Sequence, residues 1–282
     1  MKALLNLYIY SSFHIALCAV ALVLSSYHLI AYPVNPMYVL FIGAGTMLIY
    51  SLHRIVGIRK VADSRLENRF ALIRKYRSHL IVYASLAFII SSYCFIQFDW
   101  ETRLLLLFPG LISLLYVLPI LLNNKRLRDL SYIKIFLVAI SWALLCGAIP
   151  LYMYGIEGKD LYLFTAEKAL FIFAITLPFD YRDVQVDREA GVKTMAHIFG
   201  SNIKYATMLS FVAAIVLMLM SDLYTDSQKI ILFISYLAIE TITRFAMNRK
   251  HDYYYSGLID GTMILFYIFT LFGDNIESYL GL

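Results

Sequence analysis

Long apolar runs separated by short polar stretches dominate the chain. Nine such runs can be distinguished, each bounded by charged residues or by glycine and proline. A membrane-spanning helix needs about 20 predominantly apolar residues, and the runs approach this length. The pattern predicts an all-α, polytopic membrane protein with nine transmembrane helices, centred near Cys18, Gly45, Ala87, Ile112, Leu144, Phe171, Ala213, Tyr236 and Leu265.

The composition excludes two other classes of protein. Hydrophobic residues make up 61% of the 282 positions and charged residues 15%, with a mean hydropathy of +0.72. Soluble domains have about 45–50% apolar and about 25% charged residues, so neither a water-soluble globule nor a disordered chain fits. Nine helices use most of the length, which predicts a single transmembrane domain over residues 1–282. The first run continues from Lys2 to Ala31, too long for a signal peptide, and is expected to be a retained helix.

Basic residues are distributed unevenly between the two sides of the predicted bundle. Twenty of the 24 Lys and Arg residues fall on the side of the amino terminus, and four fall on the other side. Cytoplasmic loops of membrane proteins carry such an excess. The N-terminus is therefore predicted to be cytoplasmic and the C-terminus to lie on the opposite side. The net charge of +5 then reflects topology, and no nucleic-acid partner is expected.

Acidic residues cluster in the long connection that follows the sixth run. Asp180, Asp183 and Asp187 fall within an arc of roughly 60° on a helix that turns about 100° per residue. Carboxylates this close repel one another unless a cation lies among them, and Mg²⁺ carrying a phosphorylated substrate is a common solution. The alternative is local ion pairing with Arg182, Arg188 or Lys193, which would be worth little at an exposed helix end.

This stretch resembles the second aspartate-rich motif of the UbiA superfamily of intramembrane prenyltransferases. It has the sequence DYRDVQVDREAGVKT from Asp180 to Thr194, and a Phe-Gly pair closes it at Gly200. The resemblance implies a nine-helix bundle around a lipid-accessible cavity that opens to the cytoplasm. It also implies that Asp180, Asp183 and Asp187 bind Mg²⁺, with Asp183 and Asp187 acting in catalysis, and that the donor is a polyprenyl diphosphate.

The first aspartate-rich motif of that family has no acidic counterpart here. The resemblance sets Tyr50, Arg54 and Ile58 against the family's Asn and two Asp. Two interpretations follow. Either the site is inactive, or basic residues contact the diphosphate directly and replace one Mg²⁺, for which a guanidinium is well suited. The expected diphosphate contacts are Arg54, His53, Arg182 and Lys193.

Two further polar features lie within apolar runs. Asp260 has no local partner and is a candidate for the substrate cavity, because ionisable groups inside a membrane often serve function. Glu240 and Arg244 have the i, i+4 spacing of a helix salt bridge, and the structural role is the favoured interpretation.

The sequence thus predicts a membrane prenyltransferase that uses Mg²⁺ and transfers a polyprenyl group to an unidentified lipophilic acceptor. The rival from another class is a non-catalytic isoprenoid-binding or structural membrane protein that keeps the fold. A secondary transporter is disfavoured because no internal repeats or broken paired helices are evident.

The topology can be tested with reporter tags at each terminus. We expect Met1 to report the cytoplasm and Leu282 the opposite compartment, because of the asymmetry in Lys and Arg. If both tags report the same compartment, the count of nine spans is wrong.

Overall fold

The computed structural model describes residues 2–59, 73–121, 124–247, 249 and 251–280. Within these ranges no strand is present, and Leu121 and Lys125 form an isolated β-bridge. The helices are α1 Lys2–Tyr10, α2 Phe13–Leu29, α3 Pro36–Arg59, α4 Arg77–Gln97, α5 Trp100–Val117, α6 Lys134–Tyr152, α7 Gly158–Glu189, α8 Met195–Phe199, α9 Ile203–Met220, α10 Asp226–Ala246 and α11 Asp260–Leu280.

Every predicted span centre lies in one of these helices, so the all-helical prediction is confirmed. Among the described residues, seven helices are long and apolar enough to cross a membrane, namely α3 to α7, the α8–α9 segment and the segment that contains α11. Helix α2 is apolar but has 17 residues, and α10 is not among the seven. The exact number of nine spans therefore stays a prediction. The connection between Arg54 and Arg77, predicted to be a long cytoplasmic loop, lies mostly outside the described residues.

The packing partners place the helices in a closed ring. Helix α2 packs against α3, α3 against α5, and α5 against α6; α7, α9, α10 and α11 follow in order, and α11 returns to α2. Helix α4 packs on α3. One part of the core is aromatic, where Phe171 of α7 lies 5.1 Å from Phe266 and 6.0 Å from Tyr236, measured between ring centroids.

Helix α7 runs unbroken through the charged positions Glu167 and Lys168. Both side chains are fully buried, and the Lys168 Nζ donates to Glu167 Oε1 at 3.0 Å. The hydroxyls of Tyr224 and Tyr236 also donate to the Glu167 carboxylate. The Lys168 Nζ lies 4.5 Å from the ring centroid of Phe164. The pair is thus neutralised and hydrogen-bonded, which is what a charge needs in a low-dielectric environment.

The length of α7 carries its acidic end beyond the apolar part of the bundle. At 1.5 Å per residue its 32 residues extend about 48 Å, whereas the hydrocarbon core of a bilayer is about 30 Å thick. Asp180 to Glu189 form the last turns of this helix, so they lie where it reaches the end of the bundle.

Helix α6 contains a π-helical segment at Leu144–Ala148. A π turn interrupts the regular backbone hydrogen bonds of an α-helix, and in a membrane every backbone polar group must be satisfied within the protein. Two neighbouring helices contribute here. The Tyr38 hydroxyl of α3 donates to the Leu145 carbonyl at 2.6 Å, and the Ser26 Oγ of α2 donates to the Cys146 carbonyl at 2.5 Å.

Replacing Tyr38 with Phe tests this arrangement. Tyr38 is fully buried, and leaving a buried acceptor without its donor costs about 1–3 kcal/mol. We expect Tyr38→Phe to lower the free energy of unfolding in detergent by this amount. Tyr93→Phe is the matched control, because Tyr93 is 57% exposed. An equal, negligible effect of both substitutions would show that the Leu145 carbonyl does not depend on Tyr38.

Candidate functional site

A cavity of about 520 Å³ lies within the ring of helices. Its walls come mainly from α3, α5, α6 and α7, and Tyr10 of α1 and the stretch between Asp252 and Asp260 complete them. One end is charged and the other apolar, because α3 and α6 each contribute polar residues at one helix end and apolar residues further along. On α6, Lys134 and Leu145 are separated by about 16 Å along the helix axis. The cavity is therefore long and amphipathic.

The charged end brings basic and acidic side chains together in almost equal numbers. Five basic side chains line it, namely Arg54, Arg126, Arg128, Lys134 and Arg182. Six carboxylates accompany them, namely Asp129, Asp180, Asp183, Asp187, Asp252 and Asp260. His53 also lines this end. Most of these charges are paired with one another, so the pairing pattern decides what the site can bind.

Asp180 and Asp187 share a single cation, the ammonium of Lys134. The Lys134 Nζ lies 2.9 Å from Asp180 Oδ1 and 2.6 Å from Asp187 Oδ2. All three residues are buried, and Asp180 Oδ2 has no hydrogen-bond partner among the described residues. The two carboxylates are seven residues apart on α7, so they lie on the same face two turns apart. The first residue of α6 therefore bridges the acidic face of α7.

Arg182 binds two other carboxylates. Its Nε and one terminal nitrogen donate to both oxygens of Asp183 at 2.8 and 3.0 Å, and its other terminal nitrogen donates to Asp252 at 2.7 Å. The second oxygen of Asp252 accepts from the Tyr10 hydroxyl at 2.7 Å. Burial and this hydrogen bond raise the pKa of Tyr10, so it remains a donor. The network ties α1, α7 and the segment before α11 together.

Arg54 and Arg128 are the guanidinium groups of the cavity that form no salt bridge with a described carboxylate. Arg54 donates to the Ile9 carbonyl at 2.9 Å, and its guanidinium carbon lies 6.0 Å from the ring centroid of Tyr10. Arg128 contacts His53 Nε2 and lies 5.5 Å from the ring centroid of Tyr116.

Arg128 remains protonated in this setting. Burial opposes its charge, but the nearby Tyr116 and the carboxylates of Asp187 and Asp183 outweigh that effect and raise its pKa. Two half-buried guanidinium groups, those of Arg54 and Arg128, are therefore available to an anion.

Seven of the eight site residues expected from the sequence line this one cavity. His53, Arg54, Asp180, Arg182, Asp183, Asp187 and Asp260 all do so. Lys193 does not. Its side chain is exposed, and its backbone amide and carbonyl bind Ser131 and Tyr132. A role for Lys193 in substrate binding stays a prediction. Glu240 and Arg244 form the expected ion pair, at 3.0 Å.

Five further residues of the cavity lining were not predicted as site residues, namely Tyr10, Arg126, Arg128, Lys134 and Asp252. A signal was available for three of them, because Arg126, Arg128 and Lys134 belong to a basic stretch on the same predicted side as the acidic motif. Nothing in the local sequence marks Tyr10 or Asp252. They reach the site through contacts between elements at opposite ends of the chain.

The acidic residues fit one divalent ion better than two. Within the described ranges, no group of three or more His, Cys, Asp or Glu side chains is arranged to hold a metal ion. Asp180 and Asp187 nevertheless face a common cation position and offer only oxygen ligands, as Mg²⁺ prefers. Asp183 is engaged by Arg182. At the first motif, Tyr50 and Arg54 provide no carboxylate, and the described residues show no second metal position there.

Comparison with known proteins identifies the architecture. No family model matches the sequence, and no curated protein matches it. A UbiA homolog from Archaeoglobus fulgidus bound to DMAPP and Mg²⁺ is similar in structure, with a TM-score of 0.63 and 14% identity over 95% of this chain and 99% of that chain. The same homolog bound to GPP and Mg²⁺ gives 0.62, with 14% identity over 96% and 99%.

A digeranylgeranylglyceryl phosphate synthase is also similar, with a TM-score of 0.56 and 10% identity over 97% of each chain. These likenesses extend over nearly the whole of each chain and agree with the resemblance that the aspartate-rich motif indicates. The chain therefore shares the fold of these UbiA homologs and of the synthase.

Proposed function

We propose that this protein is a membrane prenyltransferase whose charged cavity end binds the diphosphate of a polyprenyl donor. The observation that supports it most strongly is the amphipathic cavity itself. A polyprenyl diphosphate has a highly charged head and an apolar tail, and the cavity has charged and apolar ends in the same order. The structurally similar UbiA homolog from Archaeoglobus fulgidus binds DMAPP or GPP together with Mg²⁺.

The reaction begins with cleavage of the bond between C1 of the prenyl group and the diphosphate oxygen. Negative charge grows on the departing diphosphate, so fixed positive charges near it lower the barrier in a water-poor site. Arg54 and Arg128 can supply such charges without breaking a salt bridge to a described carboxylate. Lys134, Arg182 and His53 lie at the same end of the cavity and are proposed as further contacts.

The positive charge left on the prenyl group needs a different environment. Aromatic faces attract a cation without reacting with it, and Tyr116, Trp142 and Phe179 are among the lining residues. The allylic cation then alkylates a lipophilic acceptor, whose identity we leave open. Asp260 is proposed to border the substrate, because it lines the cavity and its carboxylate forms no salt bridge within the described part of the chain.

A divalent ion is proposed as cofactor, held by Asp180 and Asp187 with Asp183 beside them. When bound, it would act as a Lewis acid on the diphosphate. The charge balance favours such an ion, since the six carboxylates and five basic groups among the described lining residues give no positive excess for a multiply charged ligand. We propose that the charged end faces the cytoplasm, because the excess of Lys and Arg lies on that side.

The non-catalytic alternative is favoured by one observation, the missing carboxylates of the first motif. An isoprenoid-binding protein would retain the cavity and bind the donor without cleaving it. The two functions therefore differ in whether pyrophosphate appears.

Pyrophosphate release distinguishes these functions. We expect purified protein with Mg²⁺ to release pyrophosphate from geranylgeranyl or farnesyl diphosphate when native membranes supply the acceptor. Asp187→Asn should remove most of the release while the fold survives, because Lys134 keeps Asp180 as a partner. Donor binding by the wild type with no release, even with the acceptor present, would establish the non-catalytic function.

Substitution of the two guanidinium groups tests the diphosphate contacts. Arg54→Ala and Arg128→Ala should each cost about 2–5 kcal/mol of donor affinity, as removal of a buried charged contact does. The corresponding Lys variants should recover only part, because the planar fork is lost. Affinity would be measured by calorimetry with a non-hydrolysable donor analogue.

Arg103→Ala is the matched control for these variants. Like Arg54, Arg103 donates to a backbone carbonyl, that of Phe98 at 2.8 Å. Arg103 lies in the first turn of α5 and does not line the cavity. If Arg54→Ala lowers thermal stability and leaves donor affinity unchanged, Arg54 stabilises the position of α1 through the Ile9 carbonyl and does not bind the donor.

A further inference from the structure

The position of Lys134 has a consequence for metal binding. Its side chain is 9% exposed, and its ammonium lies between Asp180 and Asp187 at hydrogen-bond distance from both. These two carboxylates face one common cation position in the described cavity. The cation position between them is therefore taken by a group that is covalently part of the protein.

A divalent ion and this ammonium exclude each other. Mg²⁺ binds carboxylate oxygens at 2.0–2.1 Å, and the Lys134 Nζ already contacts the same oxygens at 2.6 and 2.9 Å. Two cations in this space would repel strongly because the site is buried. Metal binding thus requires the Lys134 side chain to move away.

The site nevertheless has unused capacity for a ligand. Asp180 is 2% exposed, lines the cavity, and its Oδ2 has no partner among the described residues. An ammonium satisfies one oxygen of this carboxylate and leaves the other bare. A buried acceptor without a donor is unfavourable, which indicates that the pair is arranged for a ligand in addition to Lys134.

We propose that Lys134 is an internal competitor of the divalent ion at Asp180 and Asp187. In the ligand-free protein the ammonium holds the two carboxylates and keeps metal affinity low. An incoming diphosphate offers the ammonium another anion, so that the carboxylates become free for the metal. Metal and anionic ligand then bind with positive coupling, and each raises the affinity for the other. The role of the diphosphate rests on the proposed function, whereas the competition itself does not.

The competition can be measured without any prenyl donor. Mn²⁺ alone would be titrated into wild type, Lys134→Gln and Lys134→Gln/Asp187→Asn, with bound metal followed by electron paramagnetic resonance. We expect Lys134→Gln to bind Mn²⁺ at least tenfold more tightly than wild type, and the double variant to lose this gain. Mg²⁺ should also raise the melting temperature of Lys134→Gln more than that of wild type, because a ligand of the native state stabilises it.

Lys159→Gln is the matched control. Lys159 also pairs with an aspartate, Asp222 at 3.0 Å, but both side chains are largely exposed and outside the cavity. This variant should bind Mn²⁺ as wild type does. Equal Mn²⁺ affinity in wild type and Lys134→Gln would overturn the proposal, as would tight binding by ligand-free wild type that Asp187→Asn abolishes. The second outcome can be observed even if Lys134→Gln does not fold.

Inorganic pyrophosphate tests the coupling and separates this proposal from the transferase function. Adding it should increase the Mn²⁺ affinity of wild type and leave that of Lys134→Gln nearly unchanged. If pyrophosphate has no effect on either protein while Lys134→Gln still gains Mn²⁺ affinity, the competition stands and the diphosphate role fails. If pyrophosphate raises the Mn²⁺ affinity of both proteins equally, the coupling does not pass through Lys134 and that part of the proposal fails.

Discussion

Ion pairing between helices fixes the geometry of the cavity. Carboxylates buried in a bundle of low polarity are stable only beside a cation or several hydrogen-bond donors. Lys134 meets this need for the acidic face of α7 and thereby joins α6 to α7 at the cavity end. Arg182 does the same for Asp183 and Asp252, which connects α7 with the segment that leads into α11. The charged side chains that line the cavity are therefore also the contacts that hold its walls together.

The same physical constraint operates in the middle of the bundle. Glu167 and Lys168 are fully buried, and tyrosines from beyond α9 donate to the carboxylate. This cluster lies outside the cavity lining. This protein thus has two kinds of buried charged group, namely those that line the cavity and those, such as Glu167 and Lys168, that pack away from it. Asp180 faces the cavity with a free oxygen, whereas both oxygens of Glu167 accept hydrogen bonds.

The sequence was sufficient for the helices, because these depend on local periodicity, and seven of the eight residues that it suggested for the site line the cavity. Apolar run length located each helix, and the spacing of Asp180, Asp183 and Asp187 placed them on one face of α7. The partners of these acids could not be found in this way. Lys134 reaches Asp187 across 53 residues of sequence, and Tyr10 reaches Asp252 across 242. Such contacts follow from the closure of the helix ring, which no local pattern encodes.

The π segment of α6 has a consequence for the depth of the cavity. Leu145 and Cys146 line the deep, apolar end, and their carbonyls are held by Tyr38 and Ser26. Neither of those two residues lines the cavity. A return of this segment to regular α-helix would change the register of α6 by one residue and rotate the following side chains by about 100°. The depth of the cavity therefore depends on residues on the far side of α6, and a search for determinants of its length among cavity-facing side chains alone would overlook them.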